Sequence, residues 1–278
     1  GKRRGLLNYL AAKDIENFKK VFPLVITNGR MLRNFVTIIR SGAVGRKSFG
    51  SAIKKAVANW IETADEKKLL NAYVGNNPTL KDIISLSHPK PDSAQRSDFY
   101  QWLSGRDYNE LNLPDSLIDL LKFRCGETDK LPDVPFMLLI NEDMNKKNWA
   151  DLAKQSTWTQ LLSNLNVFIR NGVMEIPGIE NFIANRLSDP EEIKHSKVFP
   201  YQIYSAFINA ELDNYPKIKD ALIEAVKVAT GNIKDYNKSM VVLCDVSGSM
   251  NSEVRGKHKG VVSKITNIEA AGIFASSI

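Results

Sequence analysis

The sequence predicts a mainly α-helical chain: an α-superhelical array of paired helices, followed by the start of an α/β unit. Three observations predict it. Apolar residues recur at helical spacing from residue 5 to about 230, with no run of alternating strands. Gly and Pro fall at the joints between these periodic stretches, and the connections are short. Near Lys238 the pattern then switches to the apolar run Met240-Val241-Val242-Leu243-Cys244, which reads as a buried parallel strand. Domain boundaries at 1–237 and 238–278 follow from that switch.

Taken in order, residues 6–28 form a first helix ending at Asn28-Gly29, and 31–41 a second ending at Gly42. A third over 47–61 carries an apolar stripe at Ile53, Ala56, Val57, Trp60 and Ile61, and its opposite face presents Lys47, Ser51, Lys54 and Lys55. A helix over 65–73 comes next. Thr79 then caps 80–87, and His88-Pro89-Lys90-Pro91 halts it, because proline cannot continue a helix. Further helices are expected at 96–103, 115–124, 135–141, 148–155, 159–171, 179–187, 200–210 and 216–228. Many medium-length helices with tight turns favour a solenoid over a closed bundle, and any repeat is degenerate, because no fixed period recurs.

With 43% hydrophobic and 25% charged residues among 278, the composition is that of a globular chain. Cys125 and Cys244 give no disulfide framework and suit a reducing compartment, so a cytoplasmic location is expected. No window approaches the ~20 apolar residues of a membrane span. The net charge of +7 is local: residues 1–60 hold thirteen Lys and Arg against Asp14 and Glu16, whereas the rest holds 25 basic and 29 acidic residues. Such a patch points to a polyanion, nucleic acid ahead of anionic lipid, with plain solvated helix faces as the competing explanation. His88, His195 and His258 lie far apart and in no metal-ligand spacing, so general-base or zinc chemistry has little to build on, and no enzyme activity is expected.

After the apolar run, the loop Asp245-Val246-Ser247-Gly248-Ser249-Met250 offers one carboxylate and two hydroxyls at the end of the expected strand, a donor set suited to a hard divalent cation such as Mg²⁺. An apolar helix is expected beyond it, through Val261, Val262, Ile265, Ile268, Ala271, Phe274 and Ala275. The loop resembles the first segment of the metal-ion-dependent adhesion site of von Willebrand A domains. That resemblance implies a further Thr and Asp from later loops, so the metal site at Asp245, Ser247 and Ser249 is expected to be incomplete here and the chain to be a fragment. A two-aspartate phosphatase would need a carboxylate at Ser247, and a nucleophile elbow would need Gly-x-Ser-x-Gly; neither pattern is met.

With these pieces in order, the chain resembles the Ro ribonucleoprotein family, in which a TROVE module of helical repeats precedes a von Willebrand A domain. The matching segments are Gly45-Arg46-Lys47 with Ala52-Ile53-Lys54-Lys55 and Trp60, then Asp82 with Leu86-Ser87-His88-Pro89-Lys90-Pro91, then Leu161-Leu162-x-Asn164-Leu165, and finally Asp245-x-Ser247-x-Ser249. The resemblance implies HEAT-like repeats closed into a ring by an A domain. It also implies binding of small structured non-coding RNA and of single-stranded ends of defective RNA, and an exoribonuclease as a possible protein partner of a monomeric ring.

On the same resemblance, His88, Lys90 and Lys81 match the family's RNA surface; Arg46, Lys47, Lys54 and Lys55 are added by charge clustering. Lys and Arg would hold phosphates, and an exposed imidazole would bond or stack on an unpaired base. His88 has a second reading, as the residue that closes its helix. Departures weaken the expected footprint: Asn71 to Asn77, Ser163 and Val167 stand where relatives carry basic residues, and Phe199 and Gln202 replace histidines. The rival reading is a helical-repeat protein scaffold that captures a partner's carboxylate through the metal loop.

Overall fold

The computed structural model describes residues 7–232 apart from 8, 12, 44, 46 and 47, together with 241–255 and 262–276. It divides into two compact units, Gly1–Asp143 and Met144–Ile278. The boundary expected at 237/238 falls outside the described residues, as do Arg46 and Lys47.

In the first unit, α1 (Ile15–Val25), α2 (Gly29–Arg40), α3 (Ser51–Thr63), α4 (Glu66–Tyr73), α5 (Leu80–Ser87), α6 (Ala94–Ser104), α7 (Asp115–Arg124) and the short α8 (Phe136–Leu139) follow one another. Alternate helices pack: α1 on α3, α2 on α4, α3 on α5. The single helix expected over 6–28 is broken at Asp14, which leaves helical geometry (φ −146°) so that its carboxylate accepts from the Asn17 backbone N–H at 3.1 Å. That exchange is characteristic of Asp, whose side chain competes with the backbone for helix-end donors. The third helix starts at Ser51 rather than at 47, with Gly50 at its N-cap.

Thr79 caps α5 as expected. Its hydroxyl accepts from the Asp82 N–H at 3.1 Å and the Asp82 carboxylate accepts from the Thr79 N–H at 2.9 Å, a reciprocal capping box. The Thr79 side chain first, and its backbone N–H second, lower the Asp82 pKa. This support is therefore complete above the usual carboxylate range and is lost as pH falls through the lowered folded value.

The core of this unit is aromatic at one end. Phe18, Phe22 and Phe35 are buried with ring centroids 5.3 to 5.8 Å apart. Trp60 is 5% exposed, and its indole N–H donates to the Ile26 carbonyl at 2.8 Å, satisfying the group that closes α1. Gly29 allows α2 to touch α4: a Cβ there would lie 2.3 Å from the Ala72 Cβ.

The second unit holds α9 (Lys146–Gln155), α10 (Trp158–Ser163), α11 (Leu165–Arg170), α12 (Ile179–Leu187), α13 (Pro190–Ser196), α14 (Pro200–Asn209) and α15 (Pro216–Thr230), then β1 (Glu253–Arg255), β2 (Val262–Thr266) and α16 (Asn267–Ser276). α15 is the hub, packing on α12, α13 and α14. The helix expected over 159–171 is two helices that meet at Asn164 (φ −112°, ψ 15°), whose amide donates back to the Gln160 carbonyl at 2.9 Å. Helix α13 was missed because Pro190 reads as a stop, whereas here it opens the helix behind Asp189, whose carboxylate accepts from Glu191 and Glu192 N–H groups.

The largest departure concerns the expected strand at 240–244. Residues 241–246 have no regular structure, and Val241 and Leu243 are 88% and 91% exposed. A parallel strand is stabilised by neighbours on both sides, and among the described residues the one sheet is the antiparallel pair β1–β2, which does not include this segment. The helix expected from Val261 begins only at Asn267, because its first residues pair as β2. Thr266 then anchors the helix start, donating from its backbone N–H and hydroxyl to the Glu269 carboxylate at 2.8 and 2.9 Å.

Candidate nucleic-acid interface

Helix α5 ends at His88, which adopts the left-handed conformation (φ 52°, ψ 60°) while its N–H donates to the Ile84 carbonyl at 2.9 Å. Glycine is the residue that reaches this conformation without steric cost; other L-residues pay roughly 1–2 kcal/mol. His88 thus does close its helix, and its exposed imidazole also lines a pocket of about 300 Å³ with Ser85, Tyr100, Gln101, Ser104 and Arg106. Replacing His88 with Gly should leave stability unchanged or raise it by up to about 1 kcal/mol, read from the urea midpoint. A clear loss would mean that the side chain packs structurally.

Helix α6 builds the far wall, and Arg96 fixes its position. Its guanidinium donates to the carbonyls of Ile61 at 2.8 Å and Ala64 at 2.5 Å, which end α3 and have no helical partner. Arg96 Nε also donates to the Tyr100 hydroxyl at 3.1 Å, and that hydroxyl donates to Ile61 O at 3.3 Å. Burial pushes the Tyr100 pKa up, which keeps this donor protonated. The helix then ends at Gly105 (φ +65°), delivering Arg106 to the pocket.

Of the expected residues, Lys81 does not line this pocket, but its ammonium lies near the end of α6, 3.7 Å from where a Cβ on Gly105 would stand. Lys90 is exposed beyond Pro89, and its backbone N–H donates to Glu62 at 2.7 Å, pinning the loop to the end of α3. Lys54 and Lys55 lie on the first turns of α3, half-buried and exposed respectively, and do not line the His88 pocket. Arg106 was missed by sequence reasoning. The available signal was the Ser104-Gly105 helix stop, which places the next residue but one beside the preceding helix end.

The loop expected to bind metal has a compact local geometry. Asp245 accepts from the Ser247 N–H at 2.8 Å, and the hydroxyls of Ser247 and Ser249 are 2.9 Å apart. The Ser247 backbone first, and its hydroxyl second, hold the Asp245 carboxyl below its usual range. These oxygens suit a hard cation in type, but the single carboxylate is engaged within the loop, and the strand expected to carry it is absent. Among the described residues, no group of three His, Cys, Asp or Glu side chains gathers as a metal site.

No protein-family model matches the chain. It is 24% identical to the RNA-binding protein RO60 of Deinococcus radiodurans over 278 aligned residues, which take in 90% of this chain and 51% of the relative. The crystal structure of the Deinococcus radiodurans Ro (Rsr) protein matches with a TM-score of 0.58 at 21% identity, covering 78% of this chain and 48% of that one. The chain thus spans about half the length of the relatives it matches. The structural match speaks for the fold, and the sequence match, running through nearly the whole chain, speaks for common descent. The chain is thus similar to Ro proteins in sequence and in fold.

Proposed function

We propose that the chain binds RNA without catalysing a reaction on it: small structured non-coding RNA and the single-stranded ends of misfolded RNA. The observation that carries this is that His88 and Arg106 line one pocket along α5 and α6, while the Lys81 ammonium lies near Gly105 at the end of α6; His88 also stands in the segment that resembles the family motif. An imidazole and a guanidinium beside an open pocket offer stacking and hydrogen-bonding surfaces to an unpaired base, and the ammonium holds an adjoining phosphate. Lys54 and Lys55, with Arg46 and Lys47, supply a second line of phosphate-binding groups on and before α3. The reading includes a HEAT-like superhelical repeat in the helical part and the start of an A domain after 238. There a divalent cation would be held by Asp245, Ser247 and Ser249 with oxygen donors from elsewhere.

Fluorescence anisotropy with a stem-loop RNA bearing a single-stranded tail tests the reading. Affinity should fall steeply with salt and exceed that for duplex DNA of equal length. Reversing the charges of Arg46, Lys47, Lys54 and Lys55 should weaken binding at least tenfold and flatten the log–log salt slope by about one for each phosphate that is no longer neutralised. His88→Gly should weaken binding of the tail while keeping the salt slope. Binding that is absent at near-physiological salt, or indifferent to the nucleic acid, would overturn the reading and favour the protein-scaffold alternative.

A further inference from the structure

A second concave site lies in the first unit, between the start of α2 and α4. It has a volume of about 590 Å³ and is lined by Arg30 and Arg33 from α2 and by Lys67 and Lys68 from α4, with Asn28, Asp65 and Asn71 completing the wall. Four cations thus face one carboxylate, and that carboxylate is engaged: Asp65 accepts from the Lys68 backbone N–H at 2.7 Å as the cap of α4. Among the described residues, none of the four cations forms a salt bridge.

Two of the cations are held in place by contacts within the fold. Arg33 donates to the Ala72 carbonyl at 2.6 Å, and its guanidinium lies directly on Gly75, where a Cβ would come within 1.7 Å of its central carbon. Burial first, and the neighbouring charge of Arg30 second, lower the Arg33 pKa. The Lys68 ammonium sits 5.0 Å from the centre of the Trp60 ring. Holding like charges together without a counter-ion costs free energy that a bound anion returns, and fixing them beforehand spares the ligand part of the ordering cost. Asn71 adds a chemical preference. One N–H of its amide donates to the Lys67 carbonyl at 2.8 Å, which leaves the side-chain carbonyl oxygen as an acceptor for a hydroxyl and a second N–H as a donor.

We propose that this pocket grips a phosphate ester of the RNA backbone, with the adjoining ribose hydroxyl donating to Asn71; the occupancy rests on the RNA-binding reading above. It is separate from the His88 pocket in its lining residues and in the helices that supply them. It also places cations on α2 and the start of α4, offsetting the uncharged stretch from Asn71 to Asn77.

The test uses the full chain, with inorganic pyrophosphate and a fluorescein-labelled single-stranded oligoribonucleotide as probes. Three variants are compared: Arg30→Ala with Lys67→Ala, both exposed; Gly75→Ala, whose Cβ would displace the Arg33 guanidinium; and Arg106→Ala as a control at the other pocket. Pyrophosphate should shift the arginine side-chain NMR signals of the parent and the control but not of the double variant. The double variant should bind the oligoribonucleotide at least tenfold more weakly with unchanged thermal unfolding, and Gly75→Ala several-fold more weakly with a lowered unfolding midpoint, because the Arg33 bond to the Ala72 carbonyl is disturbed.

If pyrophosphate shifts the signals but RNA affinity is indifferent to the double variant, the pocket takes free phosphate and the inference is overturned. It is equally overturned if neither probe responds to the double variant while the parent still binds RNA, a result that leaves the general RNA reading standing. If the parent binds no RNA at all, the general reading fails and this inference fails with it.

Discussion

Replacing Arg96 with alanine is expected to cost about 3 kcal/mol of stability, measured from the urea midpoint, and to weaken RNA binding although no cation of the proposed interface is removed. The two effects share one cause. The Arg96 guanidinium satisfies the Ile61 and Ala64 carbonyls at the end of α3 and bonds the Tyr100 hydroxyl on its own helix. Losing it strands acceptors at a helix end, at the cost usual for a charged hydrogen bond. It also frees α6, which carries Tyr100, Gln101 and Ser104 of the His88 pocket. Arg96→Lys should recover little, because an ammonium lacks the planar fork that reaches several acceptors at once. If Arg96→Ala unfolds like the parent, the clamp is not what holds the pocket together.

Trp60 is the second position of large effect. Trp60→Ala should destabilise by roughly 3–5 kcal/mol, the range for emptying a buried aromatic site, in a protein whose total stability is of order 5–15 kcal/mol. Trp60→Phe separates the contributions. It fills much of the space but leaves the Ile26 carbonyl without its indole donor, a loss of about 1–3 kcal/mol. Trp60→Ala also takes away the ring beneath Lys68, and Trp60→Phe replaces it with a smaller ring that attracts a cation more weakly, so oligoribonucleotide affinity should fall modestly in Trp60→Phe even where folding is retained. Urea unfolding followed by circular dichroism reads the first effect and anisotropy the second; equal stability of Trp60→Phe and the parent would show that the hydrogen bond is not needed.

The helical character of most of the chain, and the cap at Thr79, were legible in the sequence because they depend on neighbours three or four residues away. So was the motif around His88, and with it one half of a candidate site. The other half was not. Arg106 reaches the His88 pocket only because Arg96 docks α6 on the end of α3, and Arg33 faces Lys67 and Lys68 only because Gly29 lets α2 approach α4. Both arrangements join segments well separated along the chain, and packing rather than local spacing sets them.

The apolar run at 240–244 shows the converse. Its residues are strand-like by type, yet 241–246 is extended in no sheet, because strand formation is settled by hydrogen-bonding neighbours and not by the run itself. The sequence by itself determined most of the helices, the basic excess in residues 1–60 and the Ro-like order of motifs. Only the tertiary structure decided which cations converge without counter-ions and which apolar runs are paired, since convergence and pairing are properties of surfaces that separate segments make together.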